Sequence, residues 1–138
     1  MQGPIDLGGA RQRLLPERIP MRFFGAAAVG HVLAWLALAV AAEDLTDFAG
    51  GPGPVLAAVH MLTLGVLVPT AMGASLQMLP VILGRPSPPA RVCDAVFWLT
   101  MAGAPALVWG FATLTRWAIV AGAVILAAGI AVYAVTVA

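Results

Sequence analysis

Four long apolar blocks, at residues 23–42, 54–83, 93–111 and 117–138, alternate along the chain with short links rich in glycine, proline or charge. Each block holds about the twenty residues that a bilayer core requires. The spacing predicts an all-α protein, a bundle of four transmembrane helices in antiparallel order. The second block is longer than a bilayer needs, so tilt or a kink is expected. Pro69 supplies a cause, because it removes one backbone donor and frees the carbonyl of Gly65. The link 43–53 (EDLTDFAGGPG) is an acidic loop, and Pro54 sits well as a first helical residue. Residues 84–89 make a hard stop and a turn.

Composition agrees with this pattern. Of 138 residues, 62% are hydrophobic and 9% are charged, and lysine is absent. So few charges cannot cover a water-soluble surface, which makes the lipid bilayer the first partner. A formal charge of +1 with no basic stripe argues against nucleic acid. One cysteine, Cys93, excludes an intramolecular disulfide and reads as an inert small residue near a helix start.

Residues 1–20 are broken by glycines and prolines and carry Arg11, Arg13 and Arg18. They read as a cytoplasmic, surface-lying segment that becomes helical near Pro20, and not as a secretory signal peptide. Arginines set the orientation: Arg11, Arg13, Arg18 and Arg22 precede the first span, and Arg85 and Arg91 lie in the second link. The first link has none and the third only Arg116, so both termini are expected inside. Trp109 and Trp117 would then anchor the outer interface, and His60 would lie in the outer half of its span.

The chemistry concentrates in residues 60–80, HMLTLGVLVPTAMGASLQMLP. At about 100° per residue, His60, Thr63, Thr70 and Gln77 share roughly one third of the helix circumference. A polar seam on an oily helix has to meet protein, water or a cofactor, because lipid offers no hydrogen bonds. The other histidine, His31, sits in mid-span among Phe24, Ala27, Ala28, Ala34, Trp35 and Leu38. The alanines leave a groove that Phe24, Trp35 and Leu38 could wall. His31 lies roughly 16 Å from the end of its span and His60 roughly 9 Å from the start of its own, at about 1.5 Å per residue. Ligation of one iron by both is therefore open, as are one haem each or pairing across two copies. Imidazole is the usual protein ligand of haem iron. Met61, Met72, Met78 and Met101 are candidate soft ligands, although methionine more often fills a core. Arg22 and Arg85 are placed to meet a haem propionate.

The run Ala58-Val59-His60-Met61-Leu62-Thr63-Leu64-Gly65, followed by Thr70-Ala71-Met72-Gly73, resembles a motif of the NnrS family. Those are membrane proteins with haem and copper, distantly similar to the catalytic subunit of haem–copper oxidases. Leu79-Pro80-Val81 continues the likeness, which covers about 25 of 138 residues. It implies that His60 is a haem or metal ligand, with His31 the natural second one, in a prokaryotic cytoplasmic membrane. The larger families have many more histidines, and an oxygen-reducing site needs three for copper alone. Two histidines cannot build that site within one chain.

The leading expectation is a membrane haem b protein for electron transfer or redox and gas sensing, with a quinone as a candidate partner. His31 and His60 are its axial ligands; Trp35 and Thr63 stand beside them, and Gly30 and Gly65 would let a flat macrocycle approach the backbone. The alternatives are a copper or zinc protein built on the same histidines, and a cofactor-free transporter or assembly subunit. The first span holds no acid, which counts against a small multidrug exporter. A homo-oligomer is expected, because the small face of Ala118 and Gly122 suits a partner helix.

Overall fold

The computed structural model describes residues 13–138; the reading of residues 1–20 falls mostly outside that range. Helix α1, Arg18–Val40, starts where Pro20 can sit in the first turn, since no helical acceptor awaits its missing N–H. It ends before a single 3₁₀ turn, Glu43–Leu45, and a loop in which Gly50, Gly51 and Gly53 have positive φ. Helix α2 covers Pro54–Ile82 with Pro54 as its first residue. It closes on a left-handed Gly84, with Arg85 N–H bonding the Pro80 carbonyl at 2.9 Å and Gly84 N–H the Val81 carbonyl at 3.3 Å. That is the Schellman arrangement, and it satisfies carbonyls left over at a helix end. Helix α3, Ala90–Thr113, follows the proline-rich turn, and α4, Arg116–Val137, follows after only Leu114 and Thr115. All four helices are long and apolar enough to cross a membrane, with mean hydropathy from 1.5 to 2.5.

The kink expected at Pro69 takes a specific form. Over Thr63–Leu67 the helix widens to a π turn, and Val68 N–H reaches back to the Thr63 carbonyl, five residues earlier. Pro69 cannot donate to Gly65, and its ring would crowd that carbonyl in a regular helix. The wider turn relieves the crowding.

Packing is closest between α3 and α4. A methyl group on Gly122 would lie 2.8 Å from the Leu107 Cα, and one on Gly103 the same distance from the Leu126 Cα. Backbones that approach so nearly need glycine at the crossing. This corrects one expectation: Ala118 and Gly122 are buried against α3 of the same chain. Their small face is used up within the fold, so it is no argument for a partner copy.

Helix α1 packs along α2, and α2 packs on α3, whereas α1 and α3 touch little. One cluster of buried side chains (Ile19, Phe23, Met72, Leu76, Cys93, Val96) joins α1, α2 and α3 at the arginine-rich end. A second, built on Ala104, Leu107 and Leu126 with Leu64 and Phe111 against it, lies toward the acidic loop. At the arginine-rich end Arg85 Nη1 donates to the Ala138 carbonyl at 2.7 Å, tying the end of α2 to the end of α4. The Ser75 and Tyr133 hydroxyls, 2.6 Å apart, link the same two helices.

Candidate functional site

The two histidines are held by different neighbours. His60, half-buried on α2, turns its Nδ1 toward the Leu56 carbonyl one turn back, at 2.9 Å. Only a protonated Nδ1 can donate to a carbonyl, so in the neutral ring the lone pair is on Nε2. No described residue bonds that atom. The Phe111 ring of α3 lies against the imidazole, centroids 4.8 Å apart and planes tilted by 58°. A ring nitrogen fixed by a backbone carbonyl, with the other free, is how proteins commonly orient a histidine that ligates a metal.

His31 is arranged otherwise. It is exposed on α1, and Trp35 Nε1–H donates to its Nε2 at 3.0 Å. The rings meet edge-on at 6.0 Å between centroids. Here the Nε2 lone pair is engaged, and a neutral ring carries its proton on Nδ1. Trp35 is thus a direct partner of His31 and not a distant wall of a groove.

The fold does not bring His31 and His60 together. Between α1, α2 and α3 lies an apolar cleft of about 400 Å³, walled by Val29, Leu33, Met61, Leu64, Phe97 and Met101 among others. The α1 residues that line it centre roughly 170° around the helix from His31, at about 100° per residue. His60 is outside its lining too, although the neighbouring Met61 belongs to it. No hydrogen bond or ring contact joins the two histidines among the described residues. The arrangement with one iron between both is not assembled within a single copy.

Gly30 and Gly65 do allow close approach, but of one helix to the other. A methyl group on Gly30 would collide with the Gly65 carbonyl, 2.8 Å from its carbon. The oxygen concerned is the one that Pro69 leaves without its helical donor. The Gly30 Cα–H points at it instead, a weak hydrogen bond of the kind common at helix crossings. The pair is a helix contact on the edge of the cleft, with no room between them for a macrocycle.

The polar seam is mostly answered by its own helix. Thr63 Oγ1 donates toward the Val59 and His60 carbonyls, each at 3.2 Å, and Thr70 Oγ1 to the Val66 carbonyl at 2.7 Å. Ser75 bonds the Ala71 carbonyl as well as Tyr133. Gln77 Oε1 alone is buried without a partner. Hydroxyls that return to the preceding turn satisfy themselves in lipid without a second helix. Thr63 therefore supports the turn that carries His60.

Arg22, considered for a propionate, is paired instead with Asp94 of α3. Its guanidinium also lies over the Phe97 ring, 4.7 Å from the centroid, and 5.7 Å from that of Phe23. Only Nη1 meets the carboxylate; Nε and Nη2 are buried and unpartnered. Sequence reading placed Asp94 at the interface and missed the pair, although opposite charges near matching ends of two spans were a usable signal. Cys93 is buried as a free thiol within the core, as expected of an inert small residue.

Among the described residues, no three His, Cys, Asp or Glu side chains converge as a metal-binding group. No family model, curated protein or solved structure matches the chain.

Proposed function

We propose that this integral membrane protein binds haem b, with His60 as an axial ligand, and serves in electron transfer or in redox or gas sensing. The observation that carries the reading is the His60 ring: Nδ1 is fixed by Leu56, Nε2 is free, and Phe111 holds the plane. The likeness of the His60 segment to the NnrS motif points the same way. Haem brings four nitrogens of its own and asks the protein for one or two ligands, whereas zinc or copper asks for three or four. The scarcity of converging ligands therefore favours haem over a bare copper or zinc ion.

Bound haem would supply a one-electron iron couple. The chain's own part is to set the imidazole: Leu56 fixes its tautomer, and Thr63, bonded to the His60 carbonyl, stiffens the turn below it. One copy offers one such histidine. His31, on the outside of α1, is placed to reach a second copy, so a homo-oligomer would supply a second imidazole, and a monomer would leave that axial position for a gas.

The absorption spectrum of the purified protein tests this. A Soret band that shifts on reduction and is lost in His60→Ala is expected. A colourless protein after expression with ample haem overturns the reading, as does a His60→Ala spectrum equal to that of the wild type.

A further inference from the structure

We infer that the apolar cleft between α1, α2 and α3 is a binding site for a lipid-soluble quinone, with a ring carbonyl accepting from Arg22. The inference supplies the electron partner that the haem reading lacks, and it rests on other residues. Gly25, Ala26 and Val29, three, four and seven residues after Arg22, line the cleft, so Arg22 stands on the same face of α1 at its arginine-rich end. The Phe97 ring beneath the guanidinium is itself part of the cleft wall.

Three properties select the occupant. Nε and Nη2 of Arg22 form a buried edge of donors with no acceptor, and a buried donor left unpaired is costly. Asp94 already balances the charge of Arg22, so an acidic headgroup would bring a second negative charge beside that carboxylate. A neutral carbonyl oxygen completes the edge without that repulsion. The walls suit a flat ring: Gly25, Gly30 and Gly65 present backbone, and Phe97 presents an aromatic face. The side between α1 and α3 is open, with Val29 61% and Leu33 45% exposed, so an isoprenoid tail can pass into the bilayer. A phospholipid fits poorly on both counts, having a charged head and no flat ring.

The test uses the full chain in nanodiscs of phosphatidylcholine, titrated with decylubiquinone and read by quenching of tryptophan fluorescence. Trp98, whose ring is 5.1 Å from that of Phe97, is the natural reporter. Saturable quenching is expected in both the wild type and His60→Ala, so the answer does not depend on haem. Gly25→Leu should weaken binding at least tenfold. An added Cβ there meets nothing within 4 Å, so the side chain occupies the cleft without disturbing the helix. The apolar pair Arg22→Met with Asp94→Leu, checked for an unchanged melting temperature, should do the same by removing the donor edge. Oleate should fail to displace the quinone. Quenching without saturation, an unchanged Kd in the folded variants, or displacement by oleate at equal concentration would each overturn the proposal.

Discussion

Gly30 of α1 rests on the carbonyl of Gly65 in α2, the one oxygen in that turn to which Pro69 has no N–H to give. Sequence, backbone geometry and helix crossing meet at this point. The proline frees a carbonyl, the π turn exposes it, and a glycine on the neighbouring helix is small enough to receive it.

Gly30→Ala should therefore destabilise the protein by about 1–3 kcal/mol, the usual range for forcing a methyl group into a packed contact. Gly25→Ala, on the same helix with open space around it, is the control and should be neutral or slightly stabilising. Thermal melts of both variants in one detergent check the difference. Equal melting temperatures would show that the crossing is looser than the structure has it.

The Arg22–Asp94 pair joins two helices that otherwise touch little. A double-mutant cycle with Arg22→Gln and Asp94→Asn should return a coupling of about 1 kcal/mol. That is the modest value of a pair whose carboxylate is half exposed. Each single variant should lower the melting temperature more than the double, because it leaves the other charge uncompensated. Additive single effects would mean that the pair does not form.

Trp35→Phe keeps a ring beside His31 and removes the N–H that engages Nε2. Losing a hydrogen bond of about 1 kcal/mol should make that nitrogen about fivefold more reactive. Acylation by diethyl pyrocarbonate, followed by mass spectrometry, gives the rate at each histidine separately. His60 should be unaffected, since its ring is set by Leu56 and Phe111. A parallel rise at both histidines would contradict their separation.

Gly122→Leu should lower the stability of the single chain without changing its oligomeric state. The residue packs on the Leu107 backbone of its own α3 and not on a partner. Size-exclusion chromatography with light scattering, run beside a thermal melt, separates the two effects. A shift from a larger species to a smaller one at unchanged stability would restore this face to an interface.

The spans were legible because charge and glycine punctuate oil so clearly: α2 starts at the Pro54 foreseen, and α3 and α4 begin and end within a few residues of expectation. Helix α1 starts earlier, at Arg18, because the turn 18–22 buries Ile19 and Pro20 while its arginines keep the pattern polar. Directions around the helices were harder to read. In a soluble bundle the polar face marks the outside, whereas here lipid-facing and helix-facing positions are both apolar. The angle between His31 and the cleft was therefore invisible in the residues alone. The π turn adds to this, since it shifts the angular register of everything after Thr63 relative to His60, and the wheel drawn through Gln77 assumed a regular helix. Proline at position 69 warned of a break without specifying its form.

The near-absence of contact between α1 and α3 has a consequence for how the molecule forms. Helices α1 with α2, and α3 with α4, each join neighbours in sequence through short links. Each pair can close on its own once both of its helices are inserted, as expected when membrane helices assemble after insertion. The last step is then the docking of two preformed halves along α2 and α3, with the Arg22–Asp94 pair as latch. That seam is the weakest joint in the fold, and the cleft lies along it. Small rocking of one half against the other would widen or narrow the opening to lipid without breaking either half.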